Sequence, residues 1–430
     1  MPEQDQTSRS RPGRGMRAVI APLFAVMASF APGLPTTIEA GAQGQDGTTP
    51  PKTTTQAIAE FNGRAWRIQE GRLRITSDID PESRRKTFDR TRWLLTTIEQ
   101  VFAGMKVRRA SDGLEVWFAE DRPTYLALIG QEAGADGTNT AGMAAYGGRR
   151  TMLFVRGLEW PTIQHEAWHA SRSVFIPAMP KWLDEGIAEV FDHGTFLDEQ
   201  FVIGGITEND IAQVAALFET DNWIPLGRFM REDDGWNQRL RDGTVRGRAQ
   251  YVQAWAISHF LLFADEGRHR SRMNTFLRSL NRGMDEWKAF DAAIGTNERT
   301  IAALEREVRE YFENARPVDP EAIAESLLTW AGRQVDGIPS RGRVDPDETR
   351  ASLAAWLSRA ELGSRARDAG DSITVKPGRS GQGPVIRIDP LDGLGWEIRF
   401  DRDRTRRRRD DAQDQARPLW IPRVRWSLSD

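Results

Sequence analysis

Apolar positions along the chain change period twice. The changes separate a strand-containing first part, a helical middle and a strand-rich end. Gly71–Asp78 alternates as a strand does, whereas Pro81–Met105 places Phe88, Trp93, Leu94, Ile98 and Phe102 at helical spacing. Gly113–Ala119 alternates again, with Leu114, Val116 and Phe118 on one side. Pro123–Ile129 begins a helix, and Gly130–Gly142 is a glycine-rich loop. Ala144–Tyr146 and Thr151–Val155 flank Gly147-Gly148, a hairpin signal. Together these elements predict a small α/β layer.

From Trp160 to about Ala315 the period is helical. Pro161–Phe175 contains no second proline and no glycine, and Pro161 suits a first helical turn. The next helix is opened by Pro180 and closed by Gly194, and Trp182, Leu183, Ile187, Val190 and Phe191 make it largely apolar. Asn209–Glu219 is predicted as a helix capped by Asn209 or Asp210. Gly247–Phe263 aligns Tyr251, Trp255, Ala256, His259 and Leu262 on one side, and Thr300–Ala315 is a charged amphipathic helix. Asp336–Arg350 is rich in Gly, Pro, Asp and Arg, with a loose join near Gly337–Asp347. Beyond it Ile373–Lys376, Val385–Ile388, Trp396–Phe400 and Trp420–Trp426 alternate as strands. The expectation is an α+β chain with a small β-rich C-terminal region.

The N-terminus reads as an export signal over residues 1–42. Arg9, Arg11, Arg14 and Arg17 precede the apolar Ala18–Phe30, and Ala40-Gly41-Ala42 offers a small-x-small cleavage site before Gln43. The apolar run is shorter than the ~20 residues of a membrane span, so no span is expected in the mature chain. The expected location is therefore exported, either periplasmic or extracellular. Residues 43–60 read as a disordered linker, 61–316 as a catalytic domain and 317–430 as the C-terminal region. Within the catalytic domain, 61–159 is the α/β part and 160–316 the helical part.

Charge narrows the partners. With 59 basic and 62 acidic residues the total gives no reason to expect a nucleic-acid partner. Arg404 and Arg406–Arg409 form a local basic run, and neighbouring Asp401, Asp403, Asp410 and Asp411 cancel much of its field. It reads as a solvated loop, with a polyanion or cell-surface polymer as the alternative. The chain has no cysteine, which removes disulfides, thiolate metal sites and cysteine nucleophiles.

The chemistry concentrates in His165-Glu166-Ala167-Trp168-His169. The chain has only five histidines, and two of them fall four apart with a glutamate beside the first. Residues four apart share a helix face, so both imidazoles can bind one metal ion, and Glu166 can act as general base on water at that ion. On the following helix Glu185 and Glu189 are also four apart. A catalytic zinc takes three protein ligands and leaves one position open, and two histidines with one glutamate are such a set. Glu185 is then the third ligand, and Glu189 the partner of a ligating histidine's far nitrogen.

H-E-x-x-H followed by P-K-W-L-D-E-G-I-A-E resembles the gluzincin metallopeptidases of the peptidase-MA-like group, especially exported bacterial domains of unknown function. The resemblance covers residues 65–315. It implies a zincin-like catalytic domain, a small mixed sheet followed by a helical subdomain. It also implies Zn2+ held by His165, His169 and Glu185, and a peptide or protein substrate. The sheet edge beside the motif helix would bind substrate backbone, here through Ala144–Tyr146 or Thr151–Val155, and the same stretches read equally as a structural hairpin. Tyr251 resembles the later-helix residue that stabilises the oxyanion, and it reads equally as a core aromatic. The extended metzincin pattern is absent, because Arg172 and Phe175 stand where it needs glycine and histidine. The function expected is an exported zinc metallopeptidase. The alternatives are an inactive peptidase-like binding or scaffold module of the cell envelope, and a zinc hydrolase acting on a non-peptide amide.

Overall fold

A computed structural model describes residues 65–428 apart from 109–111, 131–140, 148–149, 221, 232–234, 237–244, 336–337, 339–343, 360–372, 377, 379–381, 392–393 and 403–419. The expected export signal, the linker, most of the Gly130–Gly142 loop and the Arg404–Arg409 run lie outside the described residues.

The first part is a five-stranded mixed sheet. Its strands are β1 (Trp66–Glu70), β2 (Leu73–Ser77), β3 (Leu114–Ala119), β4 (Gly142–Gly147) and β5 (Arg150–Arg156), in the order β1-β2-β3-β5-β4. β2, β3 and β5 run parallel, and β1 and β4 pair antiparallel at the two edges. Alternation on β3 explains the layering. Val116 and Phe118 join the main core beneath α1 (Arg84–Val101) and α3 (Trp160–Phe175), while Trp117 faces the smaller core under α2 (Arg122–Leu128). β5 is interior, flanked by β3 and β4. Of the two stretches expected as a substrate-binding edge, only Ala144–Tyr146 lies on an edge, because Thr151–Val155 spends its amides on both neighbours.

The middle is helical. α4 (Lys181–Asp192) packs between α3 and α7 (Val245–Gly267), and α5 (Glu208–Glu219), α6 (Leu226–Phe229), α8 (Arg270–Asn281), α9 (Glu286–Ala293) and α10 (Glu298–Glu313) surround them. β6 (Thr195–Leu197) and β7 (Gln200–Val202) form a small hairpin after α4. The cap of α5 is Thr207, not Asn209 or Asp210. Its side chain accepts from the Asp210 backbone N–H, and the Asp210 carboxylate accepts from the Thr207 backbone N–H, a reciprocal capping box.

The C-terminal region contains the expected sheet, of β8 (Ile373–Lys376), β9 (Val385–Leu391), β10 (Leu394–Arg402) and β11 (Trp420–Leu428), all antiparallel in the order β11-β10-β9-β8. It also contains two helices that the sequence reading did not expect, α11 (Pro320–Gln334) and α12 (Pro346–Arg359). α11 lies against β10 and β11, and Gln200 of β7 brackets β11 by donating to the Val424 carbonyl and accepting from the Trp426 N–H. Among the described residues no helix is long and apolar enough to cross a membrane.

Candidate metal centre

Two helices build the site. The helical period puts His165 and His169 on the face of α3 turned to α4, and their Nε2 atoms lie 3.2 Å apart. From α4, Glu185 Oε2 lies 3.3 Å from His165 Nε2 and 3.6 Å from His169 Nε2. Bonds of ~2.0–2.1 Å at tetrahedral angles separate two ligand atoms by roughly 3.3–3.4 Å. The three observed separations bracket that value, so His165, His169 and Glu185 form a buried group that can bind a metal ion.

Each imidazole is held from behind by a carboxylate. Glu189 Oε1 is 3.3 Å from His165 Nδ1, the partnership expected from its spacing. Asp184 Oδ1 is 3.0 Å from His169 Nδ1. With Nδ1 donating to these carboxylates, both Nε2 atoms are turned to the centre, where they would be free to ligate a metal. Asp184 does more than this. It accepts from Trp168 Nε1 at 3.1 Å and from Arg172 Nε and Nη2 at 3.0 and 2.5 Å. Arg172 Nη1 in turn donates to the carbonyls of Ile176 and Pro177, which fixes the link between α3 and α4. Glu185 is bound at its other oxygen, Oε1, by Lys181 Nζ at 2.8 Å. Only Oε2 therefore faces the imidazoles.

Sequence reasoning missed Asp184, Arg172 and Lys181. The sequence reading gave Asp184 no role, yet it is 1% exposed, as buried as Glu185 at 5%. The available signal was Arg172, three residues beyond His169 and thus on the same face of a helix whose other positions there are small or apolar only in part. A cation there needs a buried acid.

The electrostatics favour a cation. Burial pushes the imidazoles down, but Asp184 and Glu185 outweigh it at His169, whose pKa rises to about 9. Glu185 and Glu189 likewise hold His165 well above the ordinary histidine value. Glu185 is held well below the carboxylate range against its own burial, by the two histidines and Lys181. Asp184 is also lowered, with Arg172 the largest opposing influence to its burial and His169 the next.

Glu166 stands apart from the ligand set. Its Oε2 accepts from the Ala144 N–H at 2.9 Å, so it lies between the metal group and strand β4. Gly142 makes this approach possible, since a Cβ there would lie 2.6 Å from Thr162 Cγ2 and 2.8 Å from Glu166 Cγ. Tyr251 on α7 reaches the same place, its ring 6.5 Å from that of His165 and 5.3 Å from that of Trp236. Burial raises the Tyr251 pKa, and the charges of Glu185, Glu189 and Glu166 raise it further, so the phenol keeps its proton.

His193 and His259 lie outside the His165–His169–Glu185 group. His193 Nε2 pairs with Asp210 Oδ1 at 3.2 Å. His259 donates from Nε2 to the Gly204 carbonyl and accepts at Nδ1 from the Tyr311 hydroxyl, both at 3.4 Å. No family model matches the sequence, and a comparison with curated proteins finds no match.

Proposed function

We propose that this chain is a zinc metallopeptidase of the gluzincin type, with a zincin-like catalytic domain, acting outside the cytoplasm on peptide or protein substrates. The observation that carries the reading is the meeting of the His165, His169 and Glu185 donor atoms within 4.8 Å of one another, with Glu166 beside them and outside the set. Nitrogen and oxygen donors at these separations suit zinc. His165, His169 and Glu185 would hold the zinc, which when bound would supply Lewis-acid polarisation of a carbonyl and a more acidic water.

The chain's own groups account for the rest. Strand β4 is an edge of the sheet whose Ala144 N–H is held by Glu166, and an extended peptide adding along that edge as a further strand would bring its carbonyl beside Glu166. Glu166 takes the proton of the attacking water and returns it to the leaving amine. The Tyr251 hydroxyl donates to the oxygen of the tetrahedral centre as negative charge collects there. Lys181 holds Glu185 to one donor oxygen, while Glu189 and Asp184 fix the imidazole tautomers.

Glu166→Gln tests the assignment. It preserves shape and removes the proton acceptor. Zinc content and melting temperature should stay near wild type, and cleavage of an unstructured peptide library should fall ~100-fold or more. A zinc-loaded, folded wild type that cleaves nothing would favour the scaffold alternative. A variant as fast as wild type would exclude Glu166 as the base.

A further inference from the structure

The C-terminal sheet has one packed face and one open face. Ile388, Trp396, Ile398, Phe400, Val424 and Trp426 point inward, against a core that includes α11 and α7. The alternate positions point outward. Among the residues whose side chains are described there, five are basic, Lys376, Arg387, Arg399, Arg423 and Arg425, and two are acidic, Glu397 and Asp401.

Their register is unusual. Glu397 sits directly between Arg387 and Arg425 on neighbouring strands, and Nε of Arg387 and Nε of Arg399 both donate to it. Burial pushes the Glu397 carboxyl up, but these two arginines outweigh it and keep the group ionised. In the next row Arg399 stands directly opposite Arg423 on the same face. Like charges in that position oppose sheet formation. Arg423 Nε reaches Asp401 at 3.3 Å and Arg399 Nε is held by Glu397, so each of the two cations has one acidic neighbour. Lys376 and Arg425 have no acidic partner among the described residues. Side chains in successive outward rows lie roughly 7 Å apart along the strand, and neighbouring strands lie ~4.8 Å apart. The cations therefore form a two-dimensional array. Lys376, Arg387, Arg399 and Arg423 line an open concavity of about 780 Å³ there.

We propose that this outer face binds an acidic polysaccharide, whose carboxylate or sulfate groups engage the guanidinium edges and the Lys376 ammonium. Arginine in a fixed plane suits such planar or multidentate anions. Among the described residues the face exposes no aromatic side chain, and Ile421 is its one exposed large hydrophobic, so the described part offers no stacking platform of the kind on which single-stranded nucleic acids are held. The inference does not depend on the metal centre, and its readout is binding.

The test uses the full chain in about 50 mM salt, with fluorescently labelled heparin, polygalacturonate and a single-stranded DNA of matched length as probes. At least one polysaccharide should bind, with affinity falling steeply as salt rises and DNA bound more weakly. Lys376→Gln, Arg423→Gln and Arg425→Gln together should weaken polysaccharide binding roughly 10-fold or more without changing metal content. If the triple variant melts early, Lys376→Gln with Arg425→Gln breaks no ion pair among the described residues and should still cost roughly three-fold. Failure of both polysaccharides to bind would overturn the proposal. So would full affinity in the substituted proteins with loss only when Arg406–Arg409 are replaced. DNA bound as tightly as the polysaccharides would overturn the ligand class.

Discussion

Asp184 Oδ1 lies 3.0 Å from His169 Nδ1 and also 3.0 Å from Arg172 Nε, so a single buried carboxylate joins a metal-site imidazole to the arginine that anchors the turn between α3 and α4. The metal group and the fold share this contact. Ligand geometry and stability should therefore fail together when it is cut.

Asp184→Asn tests that coupling. The amide can still meet one donor, but Arg172 is left as a buried cation without its counter-charge. Stability should drop by about 3–5 kcal/mol, the scale for removing one partner of a buried pair. Zinc affinity of the folded fraction should fall ~10–100-fold, the usual effect of losing a histidine's supporting carboxylate. A variant with wild-type melting temperature and affinity would show that Asp184 positions nothing.

Metal stoichiometry addresses the ligand set. Wild type should carry one zinc per chain by elemental analysis, and His169→Ala should carry little. Glu185→Gln should lose metal and activity together, because a neutral amide is a poor zinc ligand. Equal metal in wild type and His169→Ala would remove His169 from the set.

Gly186→Ala separates helix propensity from packing. In an open helix the change would stabilise by up to about 1 kcal/mol. Here the added Cβ would fall inside contact distance of Ser258 Oγ and the Ala254 carbonyl on α7. Backbone cannot yield as a side-chain tip can, so packing should win, with a net loss of about 1–3 kcal/mol. A chemical melt decides the sign. Separation of α4 from α7 would also move Glu185 away from the imidazoles.

Stability should depend on pH through the pair His193–Asp210. Burial lowers His193, but the hydrogen bonds to Asp210 and the Glu189 carbonyl more than reverse it, to about 9. Asp210 is lowered to about 2, with the His193 bond the largest influence opposing its burial. The raised histidine contributes fully below its unfolded value of ~6.5, and its contribution is lost as pH rises through about 9. The lowered aspartate contributes fully above its unfolded ~3.9, and its contribution is lost as pH falls through about 2. The melting-temperature gap between wild type and His193→Gln should be widest near about pH 5 and close above about pH 9. A gap constant across that range would contradict the pairing.

His259 should add acid sensitivity. Burial lowers its pKa to about 4, so the folded chain keeps it neutral where the unfolded chain protonates it. Its contribution is complete above ~6.5 and is lost as pH falls toward about 4. His259→Phe removes that titration, and its unfolding free energy should change less than wild type's between about pH 6.5 and 4. An identical slope in both proteins would contradict it.

What the sequence determined by itself was local. Two histidines four apart on one helix share a face whatever the rest of the chain does, and the same arithmetic linked Glu185 to Glu189 and placed Glu166 beside a ligand. Strand alternation in β2, β3 and β8–β11 was legible for the same reason, since the pleat has a period of two. The tertiary structure decided what depends on which faces meet. Asp184 and Glu185 are neighbours on an acidic stretch, and only the packing of α4 between α3 and α7 buries both and gives each a different partner. Ala144–Tyr146 and Thr151–Val155 carry similar signals, and only strand order makes the first an edge and the second interior. Gly186 looks like a helix weakness until α7 lies against it. Helices α11 and α12 were not predicted, and α6, α8 and α9 were not delimited within the helical stretch, because helical stability comes mostly from tertiary packing and a single segment does not announce its partner. Contacts between distant segments are set by the whole fold, whereas spacing along one element is set by its own geometry.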